Sequence, residues 1–187
     1  MDAFLVIEAN LAMIGVLPRV FFRRGGRLNL RWWLTATPFF VCGVAQVARV
    51  FGWIGTFGMG GAAPVLRGVG VVMSAGSIAL IWYTVGVHRI PLALWHQDDD
   101  APCEIVSWGP YRRVRHPFYA AFLLALGAGA LITPSAATLA AALYGFGALD
   151  LTARREERRL RASGLGVEYA AYTRDTGRFA PRLGRAS

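Results

Sequence analysis

The chain has 187 residues, of which 55% are hydrophobic and only 17% charged, and its formal net charge is +9. Ordinary soluble domains are about 45–50% apolar and about 25% charged, so this composition excludes a disordered chain and a disulfide-rich secreted module. It also argues against a soluble nucleic-acid-binding protein, whose positive charge accompanies a polar chain. All 20 basic residues are arginine, and high hydrophobicity with clustered arginine is typical of an integral membrane protein.

The N-terminus and the two cysteines narrow the possible classes of protein further. Residues 1–4 lack the basic region of a cleavable signal peptide, so we expect the first apolar segment to stay in the membrane. Cys42 and Cys103 have the spacing of neither a disulfide framework nor a zinc site. No metal site is expected.

Three apolar segments in the first half of the chain have about the 20-residue length that spans a bilayer. They cover approximately residues 3–22, 32–51 and 65–87. The first segment contains Glu8, and the second contains Pro38, which predicts a kink. A basic loop, 23–31, separates these two segments, and a polar segment over 88–117 follows the third.

The last apolar block, residues 118–149, contains Thr133-Pro134-Ser135 near its middle. Two helices of about 16 residues would each be about 24 Å long, which predicts a tight hairpin of short helices. Small residues recur at four-residue spacing in each arm. Such faces let helix backbones approach closely, although an alanine-rich composition is the alternative explanation. The two rows are Ala121, Ala125 and Gly129, and Ala137, Ala141 and Gly145.

The arginine positions predict the orientation. If the N-terminus faces outward, all arginines except Arg49 and Arg67 lie on the cytoplasmic side, as the positive-inside rule requires. The predicted fold is therefore a single all-α integral membrane domain over 1–187, a bundle of about five transmembrane helices. It comprises three N-terminal helices (1–87), a cytoplasmic loop (88–117), a helical hairpin (118–150) and a cytoplasmic tail (151–187). Because its basic residues are all arginine, we expect a bacterial inner membrane.

The first candidate site lies at the end of the polar loop, where Arg115, His116 and Pro117 precede Tyr119. Proline suits the first position of a helix, so we expect Pro117 to start the fourth helix with His116 at its cap. The free N–H groups of that helix end favour an anion, and Arg115 and Tyr119 add a charge and a hydroxyl. The site could hold a carboxylate, or it could be a basic loop that touches lipid phosphates.

The second candidate segment, 154–161, continues the fifth helix beyond the membrane and contains Glu156 and Glu157. Glu157 and Arg161 are four residues apart, so the segment could be a solvated face with weak ion pairs. Alternatively, a glutamate at the membrane edge accepts hydrogen bonds from a ligand. Gly164 and Gly166 are expected to break the helix, which resumes over 168–172.

Together these segments resemble the isoprenylcysteine carboxyl methyltransferase family, over about residues 105–181. The Glu pair follows His116 by 40 residues, and the tail that contains Tyr169, Tyr172, Arg178 and Pro181 resembles the C-terminal pattern of the same family. The motif residues in the loop are Gly109-Pro110-Tyr111-Arg112 and Val114-Arg115-His116-Pro117 with Tyr119. The wider superfamily includes membrane phospholipid and small-thiol methyltransferases.

The resemblance implies an S-adenosylmethionine-dependent methyltransferase that takes a lipophilic acceptor from the bilayer, with membrane lipids but no nucleic acid as partners. The cofactor would lie between the Arg-His-Pro segment and the tail, with Arg115 and His116 as the candidate catalytic residues. Ala121 stands where the family usually has glycine. The implied cofactor-binding residues are Arg115, His116, Tyr119, Glu156, Glu157, Tyr169, Tyr172 and Arg178.

Two alternatives stay open. Membrane sterol reductases, which use NADPH, are similar to this family toward the C-terminus, although the Glu pair argues against them. A non-enzymatic membrane scaffold would use its arginine clusters to bind anionic lipid headgroups.

Overall fold

The computed structural model describes residues 30–87 and 104–182, together with the backbone of residues 23–24 and 27–28. This part of the chain is almost entirely helical. The helices are α1 (Leu30–Val50), α2 (Ala63–Val87), α3 (Pro117–Ile132), α4 (Ala136–Arg161) and α5 (Gly166–Asp175). Short 3-10 helices cover Gly60–Ala62 and Gly109–Arg112. Two-residue strands β1 (Arg23–Arg24) and β2 (Arg27–Leu28) pair antiparallel within the predicted basic loop.

The observed helices follow the predicted apolar segments closely. α1 and α2 agree with the predictions for 32–51 and 65–87 to within two residues, and α3 begins at Pro117 with His116 as its N-cap. α4 begins directly after the predicted turn and runs on to Arg161. The predicted first span (3–22), with Glu8, lies outside the described residues, as do 88–103 with Cys103. The total of about five spans therefore stays a prediction.

Three of the described helices, α1, α2 and α4, are long and apolar enough to cross a membrane. α3 has only 16 residues, or about 24 Å at 1.5 Å per residue. It is the central helix: α2 and α4 pack on it most extensively, and α1 also contacts it. Because its neighbours cover α3, its length does not need to match the bilayer.

Helix α2 buries small or polar side chains and exposes large apolar ones, which is the reverse of a helix at the surface of a water-soluble protein. The face toward α3 is buried and carries mostly small or polar side chains at alternating spacings of four and three: Gly70, Ser74, Ser77, Ile81 and Thr84. Large apolar side chains on the other face are exposed, including Val65, Val72 and Trp82. Small residues at helix contacts and large apolar residues outside are what packing within lipid requires.

A buried polar seam joins α1 to the turn between α3 and α4. The amide of Gln46 donates to the Gly129 carbonyl oxygen at 3.2 Å, and the Thr133 hydroxyl donates to the Gln46 side-chain oxygen. Thr138 donates to the Thr133 carbonyl oxygen at 2.6 Å, and Ser135 and Thr138 form a capping box at the start of α4. Because these groups satisfy one another, the turn can be buried without orphaned donors.

Small residues bring α3, α4 and α1 into close contact, as the two predicted rows suggested. A Cβ atom at Gly129 would overlap the sulfur of Cys42, and one at Gly145 would overlap Leu126 and touch Pro38. Leu126 is only 1% exposed, so its side chain has little room to move away. The rows therefore contribute to packing in this structure.

The Gly145→Ala substitution is expected to destabilise the bundle by about 1–3 kcal/mol, the usual effect of overpacking a filled core. The matched control is Gly147→Ala in the same helix, where an added Cβ meets nothing within 4 Å. Thermal unfolding of the detergent-purified variants compares the two. Equal midpoints would contradict the close approach of α3 and α4.

Candidate functional site

A cluster of charged and aromatic side chains lies where the segment that leads into α3 runs beside the C-terminal tail. The Arg115 amide donates to the Gly177 carbonyl oxygen at 2.8 Å, and the His116 amide donates to that of Arg178 at 3.1 Å. Gly177 in turn donates to Arg113 at 3.0 Å. A Cβ at Gly177 would overlap the backbone oxygen of Ala180, so glycine allows the tail to turn here. This pairing fixes Arg115, His116 and Arg178 close to one another.

Glu157, on the inner face of α4, is the centre of this cluster. Its side chain accepts hydrogen bonds from Arg115 Nε at 3.1 Å, Arg178 Nε at 3.0 Å and Arg178 Nη2 at 2.8 Å. His116 Nε2 lies 3.3 Å from the same Oε1 atom that binds Arg115. Glu157 is only 3% exposed, and a buried carboxylate needs such partners to stay charged.

Arg178 connects the tail to two carboxylates that lie two helical turns apart on α4. Besides its paired contact with Glu157, its Nη1 atom donates to Asp150 at 2.7 Å. Asp150 precedes Glu157 by seven residues, two turns of the helix, so both carboxylates lie on one face. Hydrogen bonds and charge from Glu157 and Asp150 raise the pKa of the Arg178 guanidinium above its usual value.

His116 lies between the two adjacent glutamates. Its Nδ1 atom is 3.5 Å from Glu156 Oε2, and its ring stacks on that of Tyr119 with centroids 5.3 Å apart. The Tyr119 hydroxyl donates to Glu156 Oε1 at 2.7 Å. The Glu156 side chain keeps 33% of its surface exposed, against 4% for Glu157. The two glutamates therefore differ in their access to a ligand.

Three tyrosines line the side of the cluster that is nearest to α5. The Tyr172 hydroxyl donates to the Tyr111 carbonyl oxygen at 2.6 Å, and its ring contacts that of Tyr169. Burial raises the pKa of Tyr172 to about 12. Burial and the charge of Glu157 raise the pKa of Tyr169, and burial, Tyr172 and Glu156 raise that of Tyr111. These phenols therefore stay protonated at neutral pH and can donate hydrogen bonds.

Two buried polar atoms of the cluster have no hydrogen-bond partner among the described residues: Tyr169 Oη and His116 Nε2. His116 Nε2 is close to Glu157 but not aligned for a hydrogen bond. Buried polar groups are normally hydrogen-bonded, so orphaned ones need an explanation. Carboxylate, guanidinium, phenol and imidazole groups meet here, and this set suits a ligand that carries both positive and negative groups.

The structure brings all eight predicted site residues into this region. Of the two alternatives for the second segment, the solvated face does not apply to Glu157, because this side chain is buried and pairs with Arg115 and Arg178. The predicted small-residue position Ala121 lies in the hydrophobic core.

Sequence reasoning missed four residues of this region. Asp150 binds Arg178, the Thr176 carbonyl oxygen accepts from Arg115, Tyr111 lies beside Tyr172, and Phe179 contacts the His116 ring. Tyr111 lies within the quoted loop motif, Phe179 directly follows Arg178 in the tail, and Asp150 precedes Glu157 by seven residues on the same helix face. Those were the available signals; Thr176 acts through its backbone and gave none.

The Asp150→Asn substitution is expected to lower stability by about 1 kcal/mol, because it weakens a partly buried, charge-assisted bond to Arg178. Arg154→Gln is the control, since it removes the exposed partner of the same aspartate and should cost less than about 0.5 kcal/mol. Thermal unfolding in detergent measures both. A larger effect of the control would contradict the assignment of Arg178 as the important partner.

Other features lie away from this cluster. A cleft of about 180 Å³ is found near the opposite end of α3, lined by residues that include Phe57, Arg67, Leu131 and Pro134. Within residues 30–87 and 104–182, no group of three His, Cys, Asp or Glu side chains could hold a metal ion.

Comparison of the chain with protein-family models, curated proteins and solved structures finds no significant match. The resemblance to the isoprenylcysteine carboxyl methyltransferases therefore depends on the motif residues of the sequence alone.

Proposed function

We propose that this protein is an S-adenosylmethionine-dependent methyltransferase of the bacterial inner membrane, with its N-terminus outside and its cofactor site facing the cytoplasm. One observation supports this most: residues far apart in the sequence, Arg115 and His116 on one side and Glu156 and Glu157 on the other, form one charged cluster. These are the residues on which the resemblance depends.

The chemical groups of the cluster fit this cofactor. S-adenosylmethionine carries an ammonium group, a carboxylate, ribose hydroxyls and an adenine ring. The partly exposed carboxylate of Glu156 suits the ammonium or ribose hydroxyls, and the orphaned Tyr169 hydroxyl can donate to a carboxylate. The partly exposed ring of Phe179, beside His116, offers apolar surface to adenine.

Glu157 is better suited to position other residues than to contact the cofactor. Both of its oxygens already accept hydrogen bonds from arginines, and the side chain is buried. It fixes Arg115 and Arg178 and thereby fixes the tail beside α3. In this proposal Glu156 contacts the cofactor and Glu157 orients the arginines around it.

The cofactor supplies a methyl group on a positively charged sulfur. The protein's part in such a displacement is to align the acceptor and to exclude water. An arginine could orient a carboxylate acceptor through a bidentate contact; the Nε and Nη1 atoms of Arg115 already bind Glu157 and the Thr176 carbonyl oxygen. For an amine or thiol acceptor, His116 is the residue placed to take up a proton. The acceptor is a lipophilic or small molecule that partitions into the bilayer.

Calorimetric titration of the detergent-purified protein with S-adenosylhomocysteine, the product of the cofactor, tests the proposal. NADPH is titrated as a control. Stoichiometric binding of S-adenosylhomocysteine is expected, with none of NADPH. Binding of NADPH alone would instead favour a membrane reductase, and binding of neither by folded protein would favour a lipid-binding scaffold.

A further inference from the structure

The outward face of α4 changes from apolar to basic within two turns. Tyr144, Leu151 and Arg158 follow one another at seven-residue spacing, so they lie on one face of the helix. Arg155 lies on the same face, four residues after Leu151. All four side chains are exposed. An exposed apolar surface therefore continues directly into an exposed arginine pair.

Among the described residues, Arg155 and Arg158 differ from Arg154 and Arg178 in having no side-chain partner. Arg154 pairs with Asp150, and Arg178 pairs with Asp150 and Glu157. For Arg155 and Arg158, the described part of the chain provides no ion pair or side-chain hydrogen bond. Like charges three residues apart on a helix repel each other, so an additional anion would stabilise the pair.

The position of the pair along the helix indicates where that anion lies. Arg155 and Arg158 are about 6 and 10 Å beyond Leu151, at 1.5 Å per residue. The polar headgroup layer occupies about 5–8 Å on each side of the hydrocarbon core. If Leu151 contacts the acyl chains, the long arginine side chains reach the depth of the phosphates.

We propose that Arg155 and Arg158 form a binding surface for the phosphate of anionic phospholipids in the same membrane. The planar guanidinium binds phosphate through paired hydrogen bonds. The proposal depends on α4 lying in a bilayer and is independent of the methyltransferase assignment, since both arginines are exposed whereas Glu157 is buried in the cluster.

The test measures lipid binding by the full-length protein in mixed micelles. Phosphatidylglycerol labelled on its acyl chain is titrated in the presence of excess unlabelled phosphatidylcholine. Each arginine is expected to contribute about fivefold to the preference for the anionic lipid, so the double variant Arg155→Gln/Arg158→Gln should bind phosphatidylglycerol about 25-fold more weakly.

Two further variants control for charge and folding. The pair Arg49→Gln/Arg67→Gln removes the same charge from the other end of the bundle and should change affinity less than about twofold, because distant charges are screened. Arg155→Lys/Arg158→Lys keeps the charge and should keep most of the affinity. An equal loss in the distant pair, or no loss in the first variant, would overturn the proposal. Competition by free glycerol phosphate at matched concentration would also overturn it, since the site would then be one for a soluble anion.

Discussion

Replacing Glu157 with alanine is expected to release the C-terminal tail from α4 and to lower stability strongly. The substitution leaves Arg115 and Arg178 without the carboxylate that binds both. Removing one partner of a buried ion pair typically costs about 3–5 kcal/mol, because the remaining charge is uncompensated. Hydrogen–deuterium exchange of residues 165–182, together with thermal unfolding, measures the effect.

The control for this experiment is Glu168→Ala. Glu168 is an exposed glutamate on α5, and its replacement should leave both exchange and unfolding nearly unchanged. If the tail exchanges no faster in Glu157→Ala than in this control, Glu157 does not fix the tail and the interpretation of the cluster is wrong.

Replacing Glu156 with glutamine is expected to weaken the binding of S-adenosylhomocysteine about 10- to 100-fold with little change in stability. A hydrogen bond to a charged group contributes about 1.5–3 kcal/mol, and the neutral amide loses this for an ammonium or hydroxyl group of the ligand. Glutamine can still accept the hydrogen bond from Tyr119, so the local fold should persist. Calorimetry on protein of unchanged unfolding midpoint is the measurement.

Glu168→Gln again supplies the matched control, with binding like that of the unmodified protein. Undiminished affinity in Glu156→Gln would remove Glu156 from the ligand contacts. The two glutamates thus give separate signatures: loss of binding alone for Glu156, and loss of stability together with binding for Glu157.

Much of the helical architecture could be predicted from the sequence because it depends on local signals. The lengths of the apolar segments indicated α1 and α2, and proline placed the start of α3 at Pro117. The Thr133–Ser135 turn divided the last apolar block, because a proline flanked by hydroxyl residues ends one helix and caps the next. Segments without such signals, such as the short pairing of β1 with β2, were missed.

The sequence indicated which residues belong to the candidate site, but it did not indicate which of them contact one another. Adjacent glutamates on a helix point about 100° apart, and the sequence does not say which of them faces inward. The contact of Arg178 with Asp150 depends on the path by which the tail returns to α3, which Gly177 and its backbone pairing determine. Non-local geometry of this kind has no periodic pattern in the sequence.

Photo-crosslinking of radiolabelled S-adenosylmethionine to the purified full-length protein, followed by mapping of the labelled peptides, tests whether the cluster of Arg115, His116, Glu156 and Arg178 binds the cofactor. Label is expected on peptides that contain residues 115–119, 156–157 or 169–179, and excess S-adenosylhomocysteine should abolish it. Label confined to other peptides, or label that S-adenosylhomocysteine does not displace, would show that the cofactor does not bind this cluster.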